Sequence, residues 1–252
     1  MRILTGLVLG LAGTLSVAAT VAAQTPKSGG TLTYAVTGEA PTTDCHATTT
    51  YAAVHVLAPH YSLLLKVDPE AYPKLKPDVA ESWQASADGL SYTFKIRPDV
   101  FFHDGSKLTS KDVQATFDRL RKPPEGVLSI RKVAFEDITA VEAPDPATVV
   151  FKIKAPDNSF LDTLALPYNC IYSAAELAKD PNSPTKKVMG TGPFVFGEHV
   201  NGAHWTGRRF DKYFEKGKPH VDGFKAVFIK ASAVPAALQG GQVDAEFRSI
   251  TP

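Results

Sequence analysis

The chain has 252 residues, with 27 basic and 26 acidic side chains, seven histidines and two cysteines. So even a balance removes any charge-driven case for nucleic acid or an anionic membrane surface as partner. The length suffices for one or two domains with a sizeable core.

Residues 1–23 read as a secretory signal peptide. Arg2 gives the early charge, an apolar run follows, and Val21 and Ala23 are the small residues ahead of a cut before Gln24. Glycines, threonines and a serine interrupt the run, which argues against a retained spanning helix of about 20 apolar residues. Export would place Cys45 and Cys170 in an oxidising compartment. There they either close a long loop or stay two separately buried thiols; neither sits in a CxxC pair, and the sequence leaves both open.

Leu32, Tyr34 and Val36 alternate in TLTYAV, which predicts a strand over Thr31–Val36. The polar GEAPTTDCHATTT is irregular. YAAVHVLAPHYSLLLKV from Tyr51 is apolar enough for a buried helix that Pro59 kinks or ends. ESWQAS and SYTFKIR flank an Asp88-Gly89 turn, so period and turn chemistry together predict a hairpin with Tyr92, Phe94 and Ile96 on one face. DITAVEA and ATVVFKI around Pro144-Asp145-Pro146 predict a second.

Between the hairpins lies VFFHDGSKLTSKDV. Thr109 stands at an N-cap, Asp112 at the third helical position, and Leu108 with Val113 can staple the helix start. Val113, Phe117 and Leu120 mark one helical face, and Pro123-Pro124 stops the helix near Lys122. His103-Asp104 then reads as a strand-to-helix corner, with His103 hydrogen-bonding inside its own segment. A metal site would need further ligands, and neither HExxH nor a second HD occurs.

NSFLDTLALPYNCIY predicts a short helix and then a strand, SAAELAKDPNSP a helix closed by a loop, and SAVPAALQGG a further helix. Gly190-Thr191-Gly192-Pro193 lacks the Lys-Ser/Thr ending of a phosphate loop, and a turn with unusual backbone angles is the expectation. No GxSxG elbow occurs, so no nucleophile is indicated. Helices and strands mix without strict βαβ repetition, which predicts two α/β lobes crossed more than once by the chain.

PDVAESWQASADGLSYTFKIRPDVFFHDGSKLTSKDVQATFDRL resembles the family 5 extracellular solute-binding proteins, the oligopeptide, dipeptide and nickel receptors of ABC importers. GTGPFVF, RRFDKYFEKGKPHVDGFKAVFI and AALQGGQVDAEF agree in order, the last with an Ala-Leu-x-x-Gly-x-x-Asp segment, and TDCHATTTYAAVHVLAPHYSLLLKVDP is similar to the family's N-terminal block. The resemblance runs from about Gly29 to Phe247 and implies a periplasmic binding protein-like fold, type II, cluster C. Residues 24–60 and 189–252 would form most of a discontinuous first lobe, and residues 61–188 a smaller inserted α/β lobe. Where the family has a proline before the histidine this chain has Cys45, which makes a tie to Cys170 worth testing.

The implied function is capture of peptides, or of nickel chelates, opines or oligosaccharides, by a periplasmic monomer that delivers them to ABC permease subunits. No cofactor, metal or catalytic residue is implied. The candidates for facing the ligand groove are Tyr34, Glu39, Asp44, Cys45, His46, Tyr51, Tyr168 and Asn169, which occupy irregular or strand-end segments. Family members are roughly twice this long, so the second large lobe is expected to be absent and solute binding by this chain weak. Enclosure of about 70–90% of a ligand's surface is usual for a tight site. Two alternatives are a secreted metal-dependent hydrolase using His103 and Asp104, and a lobe that only docks on another protein.

Overall fold

The alternation in TLTYAV does make a strand, and everything after it can be placed relative to that strand. A computed structural model describes residues 26–247, so the leader read at residues 1–23 lies outside the described residues. In chain order come β1 (Thr31–Val36), α1 (Tyr51–Leu57), β2 (Leu65–Val67), β3 (Leu75–Pro77), β4 (Ala80–Ala85), β5 (Ser91–Ile96) and α2 (Ser110–Arg121). They are followed by β6 (Ile138–Asp145), β7 (Thr148–Ile153), α3 (Phe160–Leu164), α4 (Ala174–Lys179), β8 (Phe194–Val200), β9 (His204–Arg209), β10 (Gly223–Phe228), α5 (Val234–Gln239) and β11 (Ala245–Glu246).

β1 joins strands from the far end of the chain in a five-stranded sheet of order β11-β1-β10-β9-β8. It runs parallel to β10, with Tyr34 opposite Ala226, and parallel to β11, while β9 pairs antiparallel with both β10 and β8. The period of two sends Tyr34 and Val36 to the face covered by α1, where they pack with Val56, Leu57, Trp205 and Phe224. Ala35 points to the other face, against Val234 and Ala237 of α5 and Val243.

The two predicted hairpins zip together into a second, antiparallel sheet of order β4-β5-β7-β6. Phe94 lies opposite Val149 and Tyr92 opposite Phe151. Phe94, Phe151 and Phe117 of α2 are all fully buried, with Phe94 and Phe117 meeting Phe151 edge-on at ring-centroid distances of 5.4 and 5.0 Å. Each such ring contributes about 1.5–3 kcal/mol of burial. The helix thus fixes hairpins that would be marginal alone. α2 begins as the sequence indicates: the Asp112 carboxylate accepts from Thr109 N–H at 2.7 Å and from its hydroxyl at 3.0 Å.

One expected element is missing. The segment Tyr168–Tyr172 is not a strand. It is buried, and its backbone is satisfied outside any ladder: Ile171 N donates to Ser62 O and Tyr172 N to the Thr116 hydroxyl of α2. Apolar content there signals burial, not pairing.

The Gly190–Pro193 segment also differs from expectation. Neither glycine has a positive φ. What they permit is close approach: a Cβ on Gly190 would lie 2.2 Å from His60 O, and one on Gly192 2.5 Å from His60 C and Tyr61 N. His103 takes part in the same contact. Its Nε2 pairs with Gly192 O at 3.0 Å, and Gly190 N donates to its Nδ1 at 3.4 Å, so its bonds cross 87 to 89 residues and are not local. Gly192→Ala is therefore expected to lower stability by about 1–3 kcal/mol through overpacking against backbone. Urea unfolding will read this as a lower midpoint at unchanged slope; an unchanged midpoint would show that the contact is dispensable.

A candidate functional site on an aromatic face

The face of the mixed sheet that carries α1 is not fully covered. Leu32 and Tyr34 of β1, Val54 and His55 of α1, Ala58, Pro59, Phe194, Phe224 and Phe247 line an apolar groove of about 320 Å³. Tyr34 forms its floor, its hydroxyl donating to His55 O at 2.7 Å, and burial drives its pKa upward. Tyr34 stacks on Phe224 at 5.7 Å and meets Phe247 edge-on at 5.4 Å; Phe247 in turn lies 5.3 Å from the His55 ring.

From the groove the aromatic surface continues along α1. Residues four apart share a helix face, and Tyr51 and His55 do so with ring centroids 6.2 Å apart. Tyr51 is 55% exposed. Just before it, the Thr50 side chain caps the helix and Thr49 O accepts from the Tyr168 hydroxyl at 2.7 Å. The Arg131 guanidinium lies over the Tyr168 ring at 4.3 Å. Together these groups form a strip of aromatic rims and one cation, a surface suited to holding apolar and planar groups without bond breaking.

Of the residues expected to face a groove, Tyr34, Tyr51 and Tyr168 lie on this strip. Glu39 does not: its carboxylate is 2.9 Å from His199 Nε2 and accepts from Gly202 N beside the β8–β9 turn. Asp44, Cys45, His46 and Asn169 point inward and are almost wholly buried. Asp44 pairs with Arg119 of α2 at 2.6 Å and accepts from the Tyr172 hydroxyl at 3.0 Å. Cys45 is bonded to Cys170. Asn169 donates to Thr163 O and Leu164 O. An irregular segment reads as surface in a sequence; here its polar groups are drawn inside because partners wait there.

His55, Phe224, Phe247 and Arg131 were not singled out in the sequence. The spacing Tyr51-x-x-x-His55 could have indicated the first. Nothing local marks Arg131, whose role arises from tertiary contact with Tyr168.

Two buried histidines are held neutral. His46 Nδ1 accepts from Arg119 at 2.9 Å while Nε2 donates to Cys170 O at 3.1 Å. His60 Nε2 accepts from the Trp205 indole at 2.9 Å, which leaves Nδ1 to donate to Phe194 O at 2.7 Å. Burial pushes their pKa values from 6.5 down to about 4 and about 3, respectively. The unfolded chain therefore binds protons that the folded chain does not. Stability is complete above pH 6.5 and falls as the pH drops below it, by roughly 1.4 kcal/mol per unit for each ring, down to about pH 4 for His46 and about pH 3 for His60. Chemical unfolding at pH 7 and pH 5 checks this; equal stability at both would mean that the rings protonate in place.

His103 and Asp104 make a corner. The ring is committed to Gly190 and Gly192, and the Asp104 carboxylate accepts from Ser106 N and its hydroxyl at 2.9 and 2.6 Å. Among the described residues no three His, Cys, Asp or Glu side chains converge as a metal site.

The family model described as bacterial extracellular solute-binding proteins, family 5 Middle, matches residues 74–252. The chain belongs to this family. A family 5 relative, a putative ABC transporter peptide-binding protein of Brucella ovis, is 36% identical over 173 residues, covering 66% of this chain and 32% of its own. The structure of AgaA from A. tumefaciens R10 in complex with agropinic acid superimposes with a TM-score of 0.79 at 32% identity, over 85% of this chain and 43% of that one. The oligopeptide-binding protein AppA of Bacillus subtilis, in complex with a nonapeptide, gives 0.78 at 30%, over 87% and 44%. The fold is that of the periplasmic binding proteins, and the chain spans less than half the length of these family 5 proteins. Against this background the hydrolase alternative built on His103 and Asp104 is not favoured.

Proposed function

We propose that this chain is the solute-capturing part of an ABC importer receptor and that the aromatic strip is one wall of its ligand cleft. The observation that carries the reading is the unbroken run of rings from Phe224 through Tyr34, Phe247 and His55 to the exposed Tyr51. It stands on a fold shared with proteins solved in complex with a nonapeptide and with agropinic acid. Residues 24–60 with 189–252 form one lobe in this reading and residues 61–188 an inserted lobe. The mature chain acts in the periplasm after removal of residues 1–23, as a monomer, and hands its solute to permease subunits.

Capture needs no chemistry, only a closed state that holds solute better than the open one. The test is titration with trialanine followed by NMR. Shifts should concentrate on Tyr34, Tyr51 and His55, and Tyr51→Ala should weaken binding about tenfold through loss of an anchoring ring. Shifts confined to another surface would defeat the assignment of the cleft wall.

A further inference from the structure

Arg131 is unlike the other arginines. Among the described residues, every other arginine that is not exposed gives its guanidinium to a protein oxygen: Arg97 to Asp78 O, Arg119 to Asp44, and Arg121 to Asp118. Arg131 has no carboxylate or carbonyl partner among the described residues, its Nε is buried without an acceptor, and the side chain is only half-exposed. Such a cation is poorly hydrated and poorly paired at once. Burial lowers its pKa, in keeping with that environment.

The arrangement is held firmly. Ile130 N donates to His46 O at 3.1 Å on one side of Arg131, and on the other Phe135 is anchored in the core against Phe117. Tyr168 beneath the guanidinium is tied to Thr49 O, two residues before Tyr51. The segment around Arg131 also exposes Leu128, Ile130 and Val133. Through Tyr168 and Thr49 the cation is linked to the start of α1, where Tyr51 stands, and the exposed Leu128, Ile130 and Val133 are its near neighbours in the chain.

We propose that Arg131, backed by Tyr168, is the subsite for a carboxylate carried by the captured solute. This rests on the reading of the strip as a cleft wall and names the class of ligand: an organic solute with a free carboxylate, whose body lies on the rings while the carboxylate meets the guanidinium. A planar guanidinium presents a fork that matches a carboxylate's two oxygens, and stacking on a ring pre-orients it. One guanidinium stacked on a ring suits a single carboxylate on an apolar body better than a free phosphate, which would call for more donors.

The test uses the oxidised full chain and two matched pairs of probes, propionate with propionamide and trialanine with trialanine amide, followed by NMR at Arg131 and Tyr168. Propionate should shift these resonances and propionamide should not. Trialanine should bind about tenfold more tightly than its amide, the ordinary worth of a charge-assisted hydrogen bond. Arg131→Gln should abolish both preferences and Arg131→Lys should restore part of them, at melting temperatures close to that of the parent. Equal binding of acid and amide would overturn the carboxylate subsite and leave the peptide-receptor reading standing. Propionate binding at Arg131 with no response to either peptide would support the subsite and remove peptides as the solute. No carboxylate-dependent shift with any probe, or the same shift at exposed arginines, would overturn the subsite outright.

Discussion

Replacing Arg119 by methionine is expected to destabilise the chain by about 3–5 kcal/mol, the usual cost of leaving one partner of a buried ion pair alone. At about 2–4 °C per kcal/mol for a chain of this size, the melting temperature should fall by on the order of 10 °C. Arg119 is 4% exposed and Asp44 1%. The guanidinium reaches both Asp44 oxygens, at 2.6 and 3.3 Å, and also His46 Nδ1 and Pro181 O. Tyr172 adds its hydroxyl to the same carboxylate and its ring under the guanidinium, 5.7 Å from centroid to Cζ. Methionine would fill much of the space but leave the Asp44 charge with only neutral donors. Changing both partners, Arg119→Met with Asp44→Leu, should cost less than the sum of the single changes, because no charge is then stranded. If Arg119→Met melts within 2 °C of the parent at pH 7, on the scale set by those slopes, the pair does not anchor the loop after β1 to α2.

How much of this could be read in advance depends on distance along the chain. The cap at Thr109–Asp112, both hairpins and the end of α1 ahead of Pro59 follow from period, caps and turn residues, which are local causes. The seam does not. Gly190 and Gly192 read as a turn because glycine's usual task is an unusual φ; their actual task, room for the backbone of His60 and Tyr61, involves residues some 130 positions earlier. Asp44, His46 and Asn169 read as groove residues because polar side chains in irregular chain normally face water. Only the arrival of Arg119 from α2 and of the Tyr168–Tyr172 segment makes an interior place for them. Tyr51 was legible as a groove candidate, but its continuation into His55, Phe247 and Arg131 needed the fold.

A covalent tie beside the Asp44–Arg119 pair gives the other large expected effect. Cys45 and Cys170 are 125 residues apart in sequence and joined by a disulfide. Cross-linking so long a loop restricts the unfolded chain severely, and the loop-entropy relation puts the stabilisation near 5 kcal/mol, with about 2–4 kcal/mol typical of measured cases. Reduction with dithiothreitol should therefore lower the melting temperature by on the order of 10 °C, and Cys45→Ser/Cys170→Ser should melt at the same temperature with or without the reductant. The disulfide also fastens the same two segments as the ion pair one residue away: the loop after β1 and the part of the chain that contains α2 and Cys170. Once either tie is cut, those segments can separate as the chain opens, so part of what the second tie restrains is already lost. Combining Arg119→Met with reduction is thus expected to cost less than the two losses added together. Strict additivity would show two independent anchors, and no effect of reduction on the parent would show that Asp44–Arg119 alone sets the junction between the two sheets.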